Sequence, residues 1–477
     1  MGLDFFMDIC SLIGMLPVDL QYIVISYDNL IIFLLSDVEL MKYDWFILIK
    51  IIFGRNYSRE FFTNEVMMKI YLSGCRKFVR KLLFRDNTII KLRDGRLMGS
   101  GSNYLGHMGF GDEMSRYLFS VIENVPQNII EIGVNMTDTT LRLSDGTLMR
   151  SSIFTKRKFK KIKLKRKNIV EIISGSGRSK FIRFSNGTIL GYGYGFASDS
   201  VFSKPCFKKI DYVRNVADVY CGVYHSFLRL MDGRVMAHGF NQHGQLGLGD
   251  KMDRKNFTEV GGLDDKGNIV EIIVGHGTTI IRLVDGSILC CGNNSDGQLG
   301  FGDIKNLYVF SQIKHVPGNI DRIVFGCSHT FILLTNGVLM CSGNNSNGQL
   351  GLGDLVDKYI FTEVAVVPKN IVEVYCGYWD TIIRLEDGTL LGTGANFSGE
   401  LGLGDSRRRI SFEEITPLPK NIAEVVCYST GTLIRFLDGT LMGSGNNQYG
   451  ELGLGLNISC NRFTKINGID GFVIEIA

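Results

Sequence analysis

The most concentrated chemistry in this 477-residue sequence is a run of positive charge. Nine of the twelve residues from 156 to 167 are basic: Lys156, Arg157, Lys158, Lys160, Lys161, Lys163, Lys165, Arg166 and Lys167. The formal net charge is +4, so the rest of the chain carries a charge of −5. Such a run predicts a surface for an anionic partner: a nucleic acid, an acidic protein or a nuclear import receptor. The alternation of lysine with Ile162 and Leu164 fits equally well a solvated edge strand, on which lysines discourage aggregation.

Glycine-rich segments such as 292–303 (GNNSDGQLGFGD) are the second feature that could bind a ligand. Related segments begin at Gly101, Gly239, Gly343, Gly394 and Gly445. They lack the Lys-Ser/Thr of a Walker A loop, the spacing of a Rossmann turn and the closing Glu of a calcium loop. The four segments that begin at 292, 343, 394 and 445 start 51 residues apart. This recurrence favours a structural role. Four leucines in these segments are expected to plug between neighbouring units: Leu299, Leu350, Leu401 and Leu452. No cofactor or metal ion is expected.

The histidines and cysteines do not suggest a catalytic site. His225 and His329 occupy equivalent places in two repeats, where other units carry Thr278, Asp380 or Gly431. They are therefore expected to be hydrogen-bonded core groups. The eleven cysteines include no CxxC pair and recur on apolar strands, which fits buried free thiols in a reducing compartment. Enzymatic activity is not expected.

The elements that must position these residues repeat along the chain. An Asp-Gly or Asn-Gly pair between two apolar runs predicts a β-hairpin. Eight such pairs begin at 94, 145, 186, 232, 285, 336, 387 and 438. An Ile-Val-Glu-Ile type strand precedes each hairpin after the first. Each unit, taken as an outer strand, the Ile-Val-Glu-Ile strand and the hairpin, supplies four short strands, the content of one propeller blade.

The two ends of the repeat region complement each other. The last Ile-Glu-Ile strand, near 473–476, has no hairpin after it, and the first hairpin, near 88–95, has no such strand before it. Joined, they complete one blade, and a ring closed in this way hides the sheet edges that an open array exposes. The sequence therefore predicts an all-β propeller over residues 86–477 with eight four-stranded blades. Seven blades are the alternative, because the unit between Asp145 and Asn186 is short and lacks the glycine-rich segment.

The repeats resemble those of the regulator of chromosome condensation family, whose hallmark is Gly-x-Asn-x-x-Gly-Gln-Leu-Gly-x-Gly. The motif stands at 292–302 and 343–353, and the resemblance extends over 86–477. It implies a propeller that recognises proteins, in a family whose members usually have one blade fewer than the eight counted here. One branch of that family exchanges guanine nucleotide on a Ran-like small GTPase.

Residues 1–85 differ from the repeats in having few glycines and long apolar runs at helical spacing. The pattern LPVDL at 16–20, the apolar residues after it and Trp45 resemble an F-box. This three-helix motif docks on the Skp-type adaptor of cullin ubiquitin ligases. The resemblance implies that four residues face the adaptor: Leu16, Pro17, Leu20 and Ile23. The alternative is a helical cap on the propeller. No signal peptide or membrane span is expected, because acids interrupt the apolar runs.

These features predict a non-enzymatic, monomeric recognition propeller inside the cell, in the cytoplasm or the nucleus. With the F-box resemblance, they predict a substrate-recognition adaptor linked to a cullin-type ubiquitin ligase. The alternatives are nucleotide exchange on a Ran-like GTPase and a chromatin or nucleic-acid scaffold that acts through 156–167. Functional contacts are expected where the glycine-rich segment is missing, at 146–195, and in the helical segment.

Overall fold

The fold is taken from a computed structural model of the chain, which describes residues 86–477 apart from 165–167, 176, 194–206, 264–267 and 456. Before residue 86 it describes 21, 40, 42–53, 59, 63–64, 67–68 and 71. Helix α1 spans Trp45–Phe53, in agreement with the helical spacing of that stretch. The described residues from 86 onward form thirty-two β-strands, with their connecting turns and loops.

The eight Asp-Gly and Asn-Gly pairs form the tight turns of eight β-hairpins. The turn glycines have positive φ, for example +84° at Gly286, as this turn chemistry requires. The preceding side chain caps the turn: Oδ1 of Asp285 accepts a hydrogen bond from the backbone N of Ser287 at 2.8 Å. The local sequence thus determines where each hairpin reverses.

Each hairpin is extended by one inner and one outer strand into a four-stranded antiparallel sheet, or blade. From inner to outer strand, blade 1 contains β32 (Val473–Ile476), β1 (Asn87–Leu92), β2 (Leu97–Gly101) and β3 (Arg116–Val121). Blade 2 contains β4 (Ile129–Val134), β5 (Asp138–Leu143), β6 (Leu148–Ser152) and β7 (Lys160–Lys161). Blade 3 contains β8 (Ile169–Ser174), β9 (Lys180–Phe184), β10 (Ile189–Tyr192) and β11 (Lys208–Lys209). Blade 4 contains β12 (Val216–Cys221), β13 (His225–Leu230), β14 (Val235–Gly239) and β15 (Arg254–Glu259).

The second half of the ring is more regular. Blade 5 contains β16 (Ile269–Val274), β17 (Thr278–Leu283), β18 (Ile288–Gly292) and β19 (Leu307–Gln312). Blade 6 contains β20 (Ile320–Phe325), β21 (His329–Leu334), β22 (Leu339–Gly343) and β23 (Lys358–Glu363). Blade 7 contains β24 (Ile371–Cys376), β25 (Asp380–Leu385), β26 (Leu390–Gly394) and β27 (Arg409–Glu414). Blade 8 contains β28 (Ile422–Cys427), β29 (Gly431–Phe436), β30 (Leu441–Gly445) and β31 (Cys460–Lys465).

Strands from the two ends of the repeat region close the ring in blade 1. Ile90 pairs with Ile476 and Lys91 with Glu475 in antiparallel register. The backbone N of Ala477 donates to the carbonyl of Ile89 at 2.7 Å. The prediction of eight four-stranded blades joined in this way is confirmed, and the seven-blade alternative is wrong.

The phase of the repeat differs from the prediction. The outer strand β23, placed first in its sequence unit, pairs with β22 of the preceding blade. Each sequence unit therefore straddles two blades. The physical reason is that the glycine-rich segment, although long, returns the chain to the same sheet as an antiparallel fourth strand. A repeat count alone does not reveal this pairing.

The core lies between the blades rather than within them. All six residues of β21 are buried, whereas Phe361 is the one fully buried residue of β23. One apolar cluster joins Phe331 and Cys341 of blade 6 to Val374 and Ile383 of blade 7. Because each blade is covered on both faces by its neighbours, its second strand is buried along its length rather than at alternate residues, as in β21.

Candidate protein-recognition surfaces

The glycine-rich segments form loops, called glycine loops below, that connect the third and fourth strands of six blades at 101–112, 239–250, 292–303, 343–354, 394–405 and 445–455. A buried asparagine holds each loop together. Asn345 donates from Nδ2 to the carbonyl of Asp354 at 2.9 Å, and its Oδ1 accepts from the backbone N of Leu350 at 2.9 Å. Leu299, Leu350, Leu401 and Leu452 are completely buried, as predicted. The amide group of this asparagine is thus occupied by the loop's own backbone.

Each glycine loop also docks on the next blade. Leu352 of the loop after blade 6 forms a β-bridge with Ser411 on the outer strand of blade 7. Gly351, at φ +68°, lies so close to Phe412 of the same strand that a methyl group would overlap the ring. Thr381 of blade 7 donates to the carbonyl of Gln349 at 2.9 Å. The interpretation of the glycine segments as joints of the ring is confirmed.

Docking uses two facing side chains on the second and third strands of the receiving blade. In blades 1, 2, 5, 6, 7 and 8 a threonine faces a small residue across the hairpin: Thr88 and Ser100, Thr139 and Ser151, Thr279 and Cys291, Thr330 and Ser342, Thr381 and Thr393, Thr432 and Ser444. Ser342, for example, donates to the carbonyl of Gly297 at 2.6 Å. Small hydroxyl side chains therefore leave room for the loop and bind its carbonyls.

Blade 3 follows blade 2, which has no glycine loop. The facing pair of blade 3 is Lys180 and Tyr192. Both side chains are buried, as is Asp138 of blade 2. The Lys180 ammonium donates to Oδ1 of Asp138 at 2.5 Å, to Thr140 Oγ1 at 2.9 Å and to the carbonyl of Gly133 at 2.9 Å. The Tyr192 hydroxyl donates to the other oxygen of Asp138. Two large polar side chains and a buried carboxylate thus occupy the joint where a loop would otherwise dock.

A series of acid–arginine ion pairs links the first and second strands of the blades. The sequence did not predict these pairs. Arg229 on β13 binds Asp218 on β12, with Nη2 and Oδ2 2.6 Å apart and both side chains buried. The same guanidinium donates to the carbonyl of Ile269 in the next blade at 2.6 Å. Equivalent ion pairs join Glu131 to Arg142, Glu171 to Arg183, Glu271 to Arg282, Glu373 to Arg384 and Glu424 to Arg435. The acids of the inner strands are therefore structural.

His225 and His329 are buried and hydrogen-bonded, as predicted. Nε2 of His329 lies 3.1 Å from Thr381 Oγ1 in the next blade, and Nε2 of His225 lies 3.0 Å from Thr279 Oγ1. Burial lowers the pKa of each histidine to about 3. Both rings are neutral near pH 7 and serve as contacts between blades.

Asp380 takes the histidine position in blade 7 and is also buried. Desolvation, followed by the nearby Glu400 carboxylate, raises the pKa of Asp380 well above its usual value. Buried Cys376 and Cys427 face the same site. A group whose pKa is raised by folding costs stability once pH exceeds its unfolded value.

We therefore expect Asp380→Asn to raise the melting temperature by a few degrees at pH 7. The gain should shrink as pH falls toward 4, because the carboxyl of the unfolded chain becomes increasingly protonated, as that of the folded chain already is. Thermal unfolding of both proteins between pH 4 and pH 8 measures this effect. A constant difference across the range would contradict the assignment of the effect to the carboxyl charge.

One end of the ring, called the loop face below, carries the glycine loops and the turns between first and second strands. The two kinds of segment lie together because the strands are antiparallel: the backbone N of Phe240 donates to the carbonyl of Tyr224 at 3.0 Å. On this face the Tyr224 ring lies 5.8 Å from His276 and 6.2 Å from Phe240, and Tyr378 lies 4.7 Å from Trp379. Tyr224 and Trp379 are 43% and 42% exposed.

These aromatic side chains come from blades 4, 5 and 7. A hydrogen bond with Cys327, together with burial, raises the pKa of Tyr378 to about 12. Tyr224 makes a smaller contribution to the same shift. Further exposed rings stand on the glycine loops at Tyr104, Phe397 and Tyr449. Exposed tyrosine and tryptophan are typical of protein interfaces, since they bury a large area at little cost in conformational entropy. The loop face is the strongest candidate for protein recognition.

The basic run lies on blade 2. Lys160 and Lys161 form the outer strand β7, and the exposed Lys163 follows it; Ile162 and Leu164 pack inward, as the alternation predicts. Arg157 forms an ion pair with Glu113 of the glycine loop from blade 1. Lys156 and Lys158 are also exposed. Lys165, Arg166 and Lys167 lie outside the described residues.

The described part of the N-terminal segment has a small core of its own. The Trp45 indole donates to the carbonyl of Leu40 at 2.9 Å, and its ring lies 5.1 Å from Tyr71. Asn64 accepts from the backbone N of Trp45 at 2.9 Å. Leu16, Pro17, Leu20 and Ile23 lie outside the described residues, so the F-box resemblance stays a prediction.

The described residues contain no group of three or more histidine, cysteine or acidic side chains arranged to hold a metal ion. In the same part of the chain, eight cysteines are free thiols: Cys221, Cys290, Cys291, Cys327, Cys341, Cys376, Cys427 and Cys460. No helix among the described residues is long and apolar enough to cross a bilayer.

Comparison with known proteins identifies the repeats. Family models described as the regulator of chromosome condensation (RCC1) repeat match residues 232–281, 285–333 and 320–349. The chain is 32% identical over 263 residues to the ultraviolet-B receptor UVR8 of Arabidopsis thaliana, covering 54% of this chain and 58% of the receptor. It is 29% identical over 234 residues to the secretion-regulating guanine nucleotide exchange factor of Bos taurus, covering 46% and 49%. The matched regions thus span about half of each relative. The chain carries RCC1 repeats.

A solved structure shows the same architecture. The chain superposes on yeast RCC1 (Prp20), crystallised bound to Kap60, with a TM-score of 0.58 and 16% identity, covering 83% of this chain and 87% of that one. At this identity the likeness shows the fold alone. The eight-bladed ring with four-stranded antiparallel blades is thus an RCC1-like propeller.

Proposed function

We propose that this chain is a non-enzymatic protein-recognition propeller that binds its partner on the loop face. The carrying observation is the exposed aromatic rings on this face: Tyr224 lies beside His276 of the next blade, and Trp379 lies beside Tyr378 in blade 7. Rigid aromatic anchors on a preformed scaffold supply most of the binding energy of many protein interfaces. Acids of the inner strands such as Asp218 and Glu131 are paired with arginines of the neighbouring strand.

The experiment compares two variants of the full chain. The partner is first identified by cross-linking and mass spectrometry, then purified for direct binding measurements. Tyr224→Ala with Trp379→Ala should weaken its binding by at least about 2 kcal/mol, the level expected of hot-spot residues. Leu437→Ala is the matched control: this side chain is 65% exposed and lies in the hairpin turn at the opposite end of blade 8. Equal affinity of the aromatic double variant and the parent would overturn the proposal.

We further propose that residues 1–85 attach the propeller to a Skp-type adaptor, which would make the chain a substrate-recognition subunit of a cullin ubiquitin ligase. The support is the LPVDL pattern at 16–20 and a helical segment with its own core around Trp45. Such an arrangement separates attachment, through the helices, from target recognition, through the ring.

We expect a Skp-type adaptor to co-purify with the intact chain but not with residues 86–477. Leu16→Ala with Leu20→Ala should abolish this association, because it removes two of the apolar contacts that the resemblance assigns to the adaptor. Lys42→Ala, an exposed change in the same segment, is the control. Absence of the adaptor from the intact chain would contradict this part of the proposal without affecting the loop face.

A second candidate function is guanine-nucleotide exchange on a small GTPase. Its support is the likeness to the bovine secretion-regulating exchange factor over 46% of this chain. The test is release of labelled nucleotide from a Ran-type GTPase by the full chain. Acceleration would favour exchange over the adaptor role, whereas an unchanged rate at saturating propeller concentration would remove it.

A further inference from the structure

The outer surface of blades 2 and 3 is chemically unlike the rest of the ring. Lys156, Lys158, Lys160, Lys161 and Lys163 are exposed, and among the described residues no carboxylate lies within ion-pair distance of them. The neighbouring outer strand β11 consists of two more exposed lysines, Lys208 and Lys209, of which Lys209 forms an ion pair with Asp211. Lysine side chains from adjacent blades therefore form a positive strip along the outside of the ring, on a chain that is otherwise acidic.

The sheet edge of blade 3, beside this strip, lacks the cover that six of the other seven blades receive. Six glycine loops each form a β-bridge with the next outer strand: Phe110 with Lys158, Leu248 with Val309, Phe301 with Ile360, Leu352 with Ser411, Leu403 with Arg462 and Leu454 with Leu118. These bridges reach blades 1, 2, 5, 6, 7 and 8. No described residue forms such a bridge with β11 of blade 3, because blade 2 has only a short turn at 153–159 between β6 and β7.

The inner part of the same joint is closed. Lys180 and Tyr192 fill the position where a glycine loop would dock, and both are bound to Asp138. A ligand is thus excluded from the space between blades 2 and 3, while no described residue pairs with the outer edge of β11. The edge strand offers backbone amide and carbonyl groups to an added strand.

We propose that the outer strands of blades 2 and 3 bind an extended acidic segment of a partner protein, which pairs with the edge of β11 and places carboxylates against the lysines. Side chains on one side of a strand recur about every 6.6–7 Å, so alternate acids of an extended segment can follow the alternate lysines. This surface is separate from the loop face and does not depend on the function proposed for it.

The strip fits a polypeptide better than a nucleic acid. Single-stranded nucleic acids gain much of their affinity by stacking bases on exposed aromatic rings. The two aromatic residues next to these lysines, Phe159 and Phe207, are half-buried, and Phe207 packs against Tyr192 with ring centroids 4.8 Å apart. Among the described residues of β7 and β11, the surface offers a row of charges and a strand edge, which is the combination that an acidic β-strand matches.

The test measures binding of the full chain to three labelled probes. The first is a peptide of about twelve residues that alternates glutamate and threonine. The second has the same glutamates but proline in place of every other threonine, which keeps the charge and removes strand pairing. The third is a single-stranded DNA oligomer. We expect the first peptide to bind most tightly, and the proline peptide at least about fivefold more weakly.

Lys160→Gln with Lys161→Gln and Lys163→Gln should weaken the first peptide at least about tenfold and reduce the salt dependence of its binding. The matched control removes three exposed lysines elsewhere, Lys305→Gln, Lys314→Gln and Lys369→Gln, and should leave binding unchanged. Three outcomes would overturn the proposal: tighter binding of DNA than of the peptide, equal binding of the two peptides, or no binding of any probe. The last would identify the lysines as a solvated edge only.

Discussion

Asp138→Ala is expected to destabilise the propeller by about 3–5 kcal/mol, because it leaves the ammonium group of Lys180 buried without its counter-charge. Both side chains have zero exposure, and Nζ lies 2.5 Å from Oδ1. The Tyr192 hydroxyl also loses its acceptor. Two backbone or hydroxyl acceptors remain for Lys180, at Gly133 and Thr140, and they cannot neutralise a charge. Chemical denaturation monitored by circular dichroism measures the loss.

Two further variants separate charge burial from packing. Asp138→Ala with Lys180→Met removes both charges and should recover most of the lost stability, as expected for buried ion pairs replaced by apolar groups. Glu113→Ala breaks the exposed ion pair with Arg157 in the same sector and should cost no more than about 1 kcal/mol. If the double variant is no more stable than Asp138→Ala alone, the lost stability does not come from an uncompensated lysine.

The Asp138–Lys180–Tyr192 group could have been found in the sequence, but only with the strand pairing in hand. Lys180 stands where six other blades have threonine, and Tyr192 where the same six have serine, threonine or cysteine; blade 4 has Ser226 and His238 there. Both departures fall directly after the unit that lost its glycine loop. The missing loop explains both changes. Without it, the joint contains a space that large side chains can fill, and no loop carbonyls remain for a threonine or serine hydroxyl to bind. The sequence displays the two changes 12 residues apart, while their partner Asp138 lies 42 residues before Lys180.

The ring, its closure and the joints were predictable because each depends on local chemistry. A positive φ at glycine, as at Gly286, and a side-chain cap, as at Asp285, determine a hairpin within four residues. Recurrence at a constant period then supplies the architecture. The acid–arginine pairs were not predictable from the repeat pattern. Glu271 lies opposite Arg282 only because a β-bulge shifts the register of the two strands next to this pair.

The aromatic set on the loop face was not predictable from the repeats. Tyr224 and Trp379 occupy equivalent turn positions, but the same position holds Gly277 in blade 5 and Ser328 in blade 6. Variation among repeats conceals such residues, whereas the antiparallel strand order brings their turns to one face. The positions that differ between blades are thus those free to specialise for a partner, and the constant ones hold the ring.

Gly351→Ala should be among the most damaging single changes in the ring, at more than about 3 kcal/mol. Two costs combine. A left-handed conformation penalises alanine by about 1–2 kcal/mol, and Gly351 has φ +68°. The added methyl group would also overlap the Phe412 ring, and overpacking of this kind costs about 1–3 kcal/mol. Thermal and chemical unfolding of the full chain measure the sum.

Gly262→Ala isolates the first cost from the second. Gly262 has φ +71°, nearly the value at Gly351, but no atom lies within 4 Å of the position its Cβ would take. Its substitution should cost only about 1–2 kcal/mol. The difference in lost stability between the two variants then measures the cost of the steric overlap between the glycine loop of blade 6 and blade 7. Hydrogen exchange should rise in Gly351→Ala at the backbone N of Gly353, which donates to Ile410 across the joint at 2.8 Å. Equal losses of stability in the two variants would mean that the glycine loop does not pack tightly against the next blade. A ligand-binding role for the glycine segments would then again be open.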